Sequence, residues 1–203
     1  MGRLIYIVGA SGAGKDSLIA YVRERFSVLS TKTVFAHRYI TRPAAAGGEN
    51  HVALSSGEFK VREDAGLFSL CWHSHGMGYG IGLELDSWLE RGFSAVVNGS
   101  RGYLEQAVQR YPDLVPVSIE VSHDVLRSRL LARGRESEAE IEARLLRAQE
   151  YRVLKLRGLR RINNDGALEE AGQQLLGIVL NPESGAELPI SAWPTSGRQR
   201  NAE

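Results

Sequence analysis

The sequence predicts an α/β fold in which a parallel β-sheet carries helices on both faces. Short apolar segments rich in β-formers alternate with amphipathic segments of helical spacing, the order typical of parallel sheets. A glycine-rich turn joins the first strand segment to the first helix segment, where open α/β sheets place ligands. A chain of 203 residues is long enough for one such domain with a full core.

The elements of the first half of the chain follow from hydrophobic spacing. Residues 3–9, RLIYIVG, are a continuous apolar run that predicts a buried parallel strand, and the apolar positions in residues 15–26 recur with helical spacing. Turn-rich residues 43–50 separate these elements from the next ones. The further predicted elements are a strand within 33–41, a helix over 55–67 capped by Ser55 or Ser56, a strand pair over 68–82, and a helix over 84–92.

The second half continues the alternation of strands and helices. Gly134 and Pro112 are expected to stop the helices that precede them. The predicted strands cover 93–100, 114–122 and 160–165, and the predicted helices cover 101–111, 123–134, 136–158 and 167–180. Residues 1–181 therefore form one domain, and residues 182–203, which hold few apolar side chains, are expected to be a weakly ordered tail.

Composition excludes several classes of protein. The net charge is +1, which does not indicate general binding to nucleic acid. No apolar run reaches 18 residues, so the sequence predicts no membrane span. Cys71 is the single cysteine, which rules out a disulfide within the chain, and the apolar start is too short for a signal peptide. The expected localisation is cytoplasmic.

The turn after the first strand matches a phosphate-binding loop. The pattern G-x-x-x-x-G-K needs a preceding strand and a following helix, and both are predicted here. Glycines let backbone N–H groups turn toward phosphate oxygens, the helix start adds a positive dipole end, and Lys15 would reach the β- and γ-phosphates. The residues predicted to bind ATP in this loop are Gly9, Ala10, Ser11, Gly12, Ala13, Gly14, Lys15, Asp16 and Ser17.

The loop departs from the usual pattern directly after its lysine. A hydroxyl normally follows the lysine and holds Mg²⁺, but here Asp16 takes that place and Ser17 comes one residue late. A carboxylate is favourable in the first turn of a helix, yet close to a triphosphate it is repelled unless a divalent cation lies between them. Either Asp16 faces Mg²⁺, directly or through water, or it points away from the site. We expect the first arrangement, with Asp16 and Ser17 on the metal side.

Five segments of the chain, in this order, resemble the guanylate kinase family of nucleoside monophosphate kinases: GASGAGKDSL, RYITRP, GMGYGI, RLLARGRESEAEIEARL and INND. The resemblance covers roughly residues 3–180. It implies a P-loop NTPase fold with an acceptor-binding subdomain at about 34–93 and a lid at about 133–147. It also implies phosphoryl transfer from ATP with Mg²⁺ as cofactor.

The resemblance assigns roles to residues that match the family's motifs. Lys15 and the lid residues Arg133, Arg135 and Arg144 would neutralise the transferring phosphoryl group, whereas Arg147 and Arg152 fit a solvated helix face better. Thr41 and Arg42 keep the first half of the acceptor-phosphate motif. The predicted substrate-binding residues are Arg38, Thr41, Arg42, Tyr79, Asn98, Ser100 and Arg101, and Asn164 is expected on the adenine side.

Departures from the family pattern argue against guanine as the acceptor base. The second arginine of the acceptor motif falls on Ala45, and the acids that read guanine fall on Leu70 and in the segment Val97–Gly99. A site that has lost these carboxylates also loses several hydrogen bonds to the base. The variant loop K-D-S and the segment V-N-G-S-R are similar to a branch of phosphonate catabolism whose acceptor is a phosphorylated sugar. That branch is the function expected here.

Three alternatives remain open at this stage. A nucleoside monophosphate kinase for another base would need a hydrogen-bonding pocket near Leu70 and Gly99. A non-enzymatic interaction domain of the same fold typically has a degraded phosphate loop, unlike the loop here. A kinase that acts on a hydroxyl group would need a base near the acceptor, and no Asp is clearly placed for that. The sequence also leaves open whether the chain forms a homodimer, and it gives His73 and His75 only weak metal-like spacing.

Overall fold

A computed structural model describes residues 2–26, 32–46, 49, 51–134, 137–150, 156 and 158–182. The strands are β1 (Leu4–Gly9), β2 (Thr33–Phe35), β3 (Tyr39–Ile40), β4 (Val52–Ala53), β5 (Phe68–Ser74), β6 (Met77–Gly82), β7 (Ser94–Asn98), β8 (Val115–Glu120) and β9 (Arg160–Asn163). The helices are α1 (Lys15–Phe26), α2 (Ser56–Asp64), α3 (Glu84–Glu90), α4 (Leu104–Arg110), α5 (His123–Arg133), α6 (Glu138–Glu150) and α7 (Leu168–Leu180).

The main sheet has five parallel strands in the order β2-β7-β1-β8-β9, with β1 at its centre. Successive side chains of β1 point to opposite faces. Ile5 and Ile7 pack with buried residues of α1, α5, α6 and α7, whereas Tyr6 and Val8 pack with those of α3 and α4. The predicted parallel sheet with helices on both faces is therefore confirmed.

Local sequence signals set the ends of several helices. Ser55 caps α2, because its side chain accepts a hydrogen bond from the backbone N–H of Glu58 at 3.1 Å. Ser122 caps α5 in the same way through Val125. Helix α5 ends at Gly134, which takes a left-handed conformation with φ of 59° that glycine adopts without strain. These caps confirm the predicted starts and stops.

The strand predicted within residues 33–41 is observed as two short strands, β2 and β3. Strand β2 pairs with β7 at the edge of the main sheet, whereas β3 belongs to a second sheet of four strands in the order β4-β3-β6-β5. The chain leaves one sheet and enters the other between Phe35 and Tyr39. One apolar run cannot show that its two ends have different partners, since strand pairing is decided by tertiary packing.

The second sheet depends on glycines in β6. A Cβ atom on Gly78 would lie 2.6 Å from the ring of Phe59, and one on Gly80 would lie 2.5 Å from the ring of Phe68. Both aromatic side chains therefore fill the space that a larger residue would need. These contacts press α2 against the sheet, and the His75–Gly76 turn between β5 and β6 confirms the predicted strand pair.

Some predicted elements differ in detail or fall outside the described residues. The helix predicted over 101–111 begins with a 3-10 turn at Arg101–Tyr103 before α4 starts. The helix predicted over 136–158 is seen as α6, and residues 151–155 lie outside the description, as does the tail after Pro182. Within the described ranges, the helices lack the length and apolar character that a bilayer span requires.

Candidate functional site

The loop between β1 and α1 has the backbone shape of a phosphate-binding loop. Gly12 and Gly14 take φ values of +97° and +90°, which side chains on other residues rarely allow. A Cβ on Gly14 would lie 2.5 Å from Nδ2 of Asn164, and this Nδ2 donates to the carbonyl of Ala13 at 2.7 Å. Asn164 was predicted on the adenine side. The structure shows it buried against the loop, where it braces the backbone.

The lysine of the loop folds back over the turn. Nζ of Lys15 donates to the carbonyls of Gly9 at 2.9 Å and Ala10 at 3.1 Å. Burial lowers the pKa of Lys15 to about 8, the Asp16 carboxylate partly opposes this shift, and Arg38 and Arg101 lower the pKa further. Several charged side chains therefore converge on the point where the loop meets its helix.

Asp16 lies at the start of α1 and lines a cleft beside the loop. Its Oδ1 accepts a hydrogen bond from Nδ2 of Asn98 at 2.7 Å, so the ends of α1 and β7 are joined. Burial raises the pKa of the Asp16 carboxyl, Glu49 raises it too, and Lys15 and Arg38 lower it. Both carboxylates line a cleft of about 390 Å³ between α1, β2 and β7. Ser17, one position further along α1, is exposed.

The predicted acceptor residues Arg38 and Arg42 lie in one network centred on Glu49. Arg38 forms a two-point ion pair with the Glu49 carboxylate, and Nη2 of Arg42 is 3.8 Å from the same group. His51 contacts Arg42 twice, through Nη2 at 3.4 Å and through the carbonyl at 3.2 Å. Glu49 and His51 were not among the predicted site residues. Their side chains position the guanidinium groups that a phosphate would bind.

Tyr79 lies in an aromatic stack beneath this network. The guanidinium of Arg38 sits 5.2 Å from the centre of the Tyr79 ring, and Trp72 stacks on the other side with ring centroids 5.5 Å apart. Tyr103 stacks in turn on Trp72. The stack holds Arg38 from below, so Tyr79 contacts the acceptor site through its ring face. The predicted residue Thr41 fixes the neighbouring turn, since its hydroxyl accepts from the N–H of Gly78 at 2.9 Å.

The end of β7 is fixed by a buried tyrosine. The hydroxyl of Tyr6 accepts from the N–H of Ser100 at 3.0 Å, and a Cβ on Gly99 would lie 2.2 Å from the Tyr6 ring. These contacts hold Asn98 and Arg101 on either side of the turn at the carboxyl edge of the sheet. Nη1 of Arg101 reaches the carbonyl of Ala148 on α6 at 3.4 Å, so this arginine faces the lid helix.

Helix α6, which falls largely within the predicted lid, contacts the loop and the β5–β6 turn. Nη1 of Arg144 reaches Oγ of Ser11 in the loop at 3.1 Å, which places this predicted residue beside the phosphate-binding backbone. Arg147 was expected on a solvated helix face, and it is exposed there; its Nη1 also lies 3.2 Å from Nδ1 of His75 in the β5–β6 turn. Arg133 is exposed at the end of α5, and Arg135 lies outside the described residues, as does Arg152.

The described residues thus bring together a loop with the backbone shape of a phosphate loop, the network of Arg38, Arg42 and Glu49 that was predicted to bind the acceptor, and a helix whose Arg144 contacts the loop. The fold is shared with a guanylate kinase from Anaplasma phagocytophilum, with a TM-score of 0.65 and 16% identity over 90% of this chain and 87% of that one. Fold and site together define a P-loop protein with the guanylate kinase architecture. No protein-family model matches the chain.

Comparison with curated relatives identifies one family within this class. The chain is 58% identical over 180 residues to a ribose 1,5-bisphosphate phosphokinase PhnN of Desulfomicrobium baculatum, covering 89% of this chain and 95% of that protein. It is 48% identical to the protein of that name from Psychromonas ingrahamii, covering 89% and 91%, and to that from Thiobacillus denitrificans, covering 90% and 95%. The chain belongs to the ribose 1,5-bisphosphate phosphokinase family.

Proposed function

We propose that this protein transfers the γ-phosphoryl group of ATP to α-D-ribose 1,5-bisphosphate, giving 5-phospho-α-D-ribose 1-diphosphate and ADP. Membership of the family supports this reaction, because its relatives carry the name ribose 1,5-bisphosphate phosphokinase. An intact phosphate loop with Lys15 supports ATP as the donor.

The observation that supports this acceptor is the absence of the carboxylates that would hydrogen-bond to guanine. Leu70 is 1% exposed and packs in the core with Trp72 and Ile81, so it offers no hydrogen bond to a base. Gly99 is pressed against the Tyr6 ring, which leaves no room there for a carboxylate side chain. A guanine would leave its N1–H and amino group unpaired, which disfavours it by orders of magnitude. A phosphorylated sugar makes no such demand.

The reaction needs charge neutralisation more than proton transfer. The acceptor is a phosphate that is already ionised at neutral pH, so one of its oxygens can attack the γ-phosphorus without a general base. A new P–O bond forms as the bond from the γ-phosphorus to the ADP oxygen breaks. We assign Lys15 and Arg144 to the donor phosphates, and Arg38 and Arg42 to the acceptor phosphate. Their charges oppose the repulsion between two anionic reactants.

The residues around Asp16 fit a magnesium ion. Mg²⁺ prefers oxygen ligands. Here the Asp16 carboxylate accepts from Nδ2 of Asn98, and Oδ1 of the same amide is a buried atom with no hydrogen-bond partner among the described residues. We assign Asp16 to hold the ion, directly or through its water shell, with Asn98 orienting that carboxylate. A bound magnesium ion would supply further positive charge to the donor phosphates.

The proposed acceptor is tested by measuring ADP release with ATP, Mg²⁺ and one of four acceptors: ribose 1,5-bisphosphate, GMP, AMP or gluconate. We expect kcat/KM for the bisphosphate to exceed that for each other acceptor by at least about 10³-fold, as for sites that lack a substrate's hydrogen-bond partners. Phosphorus NMR should then show a new diphosphate on the sugar.

Each alternative function has its own outcome in the same assay. Turnover of GMP or AMP equal to or above that of the bisphosphate would favour a nucleoside monophosphate kinase. Turnover of gluconate would favour transfer to a hydroxyl group. An absence of ADP release with every acceptor, from protein that binds ATP, would favour an interaction domain.

A further inference from the structure

A cluster of three metal-ligating side chains lies in the acceptor subdomain, outside the site described above. Cys71 and His73 stand two residues apart on β5 and therefore share one face of the strand, and Glu63 reaches them from α2. Oε1 of Glu63 lies 3.2 Å from Sγ of Cys71 and 2.9 Å from Nε2 of His73. All three ligand atoms lie within 4.8 Å of one another.

We propose that Glu63, Cys71 and His73 bind one Zn²⁺ ion. A thiolate, an imidazole nitrogen and a carboxylate oxygen are ligand types that zinc accepts, and hard ions such as Mg²⁺ do not select a thiolate. The cluster is therefore chemically distinct from the oxygen-rich surroundings of Asp16. When zinc binds, the thiol proton leaves to solvent and the new Zn–S bond takes the electron pair of the thiolate.

The distances in the cluster are close to those that a tetrahedral ion needs. Bond lengths of about 2.0 to 2.3 Å place neighbouring ligand atoms roughly 3.4 to 3.6 Å apart. The two contacts to Glu63 would each lengthen by less than about 1 Å, within reach of side-chain rotation. The His73 side chain is 62% exposed and that of Glu63 33%, so the ion can enter from solvent and keep water as its fourth ligand.

The position of the cluster suggests what a bound ion would do. It would tie α2 to β5, which already meet through the edge contact between the Phe59 and His73 rings. Trp72 lies between the two strand ligands in sequence and points to the opposite face, where it stacks on Tyr79 under Arg38. Zinc on one face of β5 would thus stiffen the strand that supports the acceptor network on the other.

The test uses Co²⁺ as a spectroscopic substitute for zinc, added to the full-length protein without nucleotide. Because Cys71 is the only cysteine in the chain, a thiolate-to-cobalt charge-transfer band in the near-ultraviolet can come from no other residue. We expect this band, together with the visible bands of a tetrahedral ion, at one equivalent of Co²⁺, and we expect Zn²⁺ to displace it.

Variants decide whether the three side chains act together. Cys71→Ser should abolish the charge-transfer band, and His73→Ala or Glu63→Gln should weaken Co²⁺ binding by at least about 10-fold, since even indirect ligand partners contribute that much. His123→Ala removes another exposed histidine and should leave binding unchanged. Thermal unfolding of each variant without metal checks that its fold is intact.

Three results would overturn the proposal. The first is the absence of a charge-transfer band at millimolar Co²⁺ in reduced protein. The second is a band whose Co²⁺ affinity is unchanged in both His73→Ala and Glu63→Gln. The third is a band that appears only with a doubling of molecular mass in sedimentation. In the second and third cases Cys71 alone would bind the ion.

Discussion

The proposed donor and acceptor sites of this protein use different kinds of binding group. On the donor side, as we propose it, the binding groups belong mainly to the backbone between Gly9 and Lys15, and Asn164 hydrogen-bonds to that backbone. On the acceptor side they are side chains: Arg38 and Arg42 share Glu49. The donor site is therefore fixed by local conformation, whereas the acceptor site depends on contacts between distant parts of the chain.

This difference predicts that the two sites tolerate amino-acid substitutions to different degrees. A backbone loop keeps its N–H groups whatever occupies its non-glycine positions, so the loop can carry Asp16 in place of a hydroxyl. An acceptor network is expected to bind more weakly when one side chain changes, because each guanidinium is held by a neighbour's charge. Substrate choice within the fold can thus change through a few acceptor residues while the donor loop stays the same.

The largest expected effect follows from removing Lys15, the one cationic side chain of the donor loop. Lys15→Ala should lower kcat by about 10³-fold or more, because that charge acts on the phosphates where negative charge develops. The measurement is steady-state ADP release with ribose 1,5-bisphosphate at saturating ATP.

Lys32→Ala is the matched control for this change. Lys32 is exposed before β2, so its loss should leave kcat unchanged. Equal activity of Lys15→Ala and the wild type would mean that the backbone alone binds the donor phosphates. The donor side would then depend on side chains even less than we propose.

The donor side is also the part that the sequence predicted best. The glycine spacing and the flanking strand and helix specify the loop locally, and the structure has β1 and α1 at the predicted positions. What the sequence did not predict is that Asn164, expected on the adenine side, also hydrogen-bonds to this loop. It is 151 residues from the carbonyl that it binds, a separation at which no local pattern reports a contact. The resemblance to the family indicated the segment but not what its side chain contacts.

The second effect concerns the acceptor network. Arg42→Ala should raise KM for the bisphosphate by about 10- to 100-fold, the loss expected when a hydrogen bond to a charged group is removed. KM for ATP should stay within about twofold, since Arg42 belongs to the other side of the site. The measurement is a pair of substrate titrations, each at a saturating concentration of the other substrate.

Arg62→Ala provides the comparison inside the same subdomain. Arg62 pairs with Glu58 on the surface of α2, an ion pair of the kind that contributes little. If Arg42→Ala raised KM for ATP as strongly as KM for the sugar, the two sides could not be treated as separate.

The acceptor network was harder to predict for a physical reason. Arg42 and Tyr79 were predicted as substrate-binding residues from the resemblance. The position of Glu49 between Arg38 and Arg42 depends instead on the pairing of β3 with β4 and β6. The contact between Arg147 and His75 joins residues 72 positions apart, and a charged helix face gives no sign of it. Sequence periodicity shows which face of an element is apolar. It does not show which charged groups meet once separate elements pack together.

The smallest effect separates the two sides by pH. The pKa of Lys15 is about 8 in the nucleotide-free protein because burial disfavours its charged form, whereas the acceptor cations are arginines, which do not lose their charge in this range. Raising the pH from 7 to 9 deprotonates Lys15. The bound phosphates of ATP are then stabilised by the Lys15 charge only if Lys15 takes up a proton as ATP binds. The affinity for ATP should fall by about 10-fold over this interval, with nearly one proton taken up per ATP bound at pH 9.

Calorimetry in buffers of different ionisation enthalpy measures that uptake, and Lys15→Arg should bind ATP without it. A fall in affinity that persists in Lys15→Arg would assign the titration to another group, and the donor side would no longer be the pH-sensitive one.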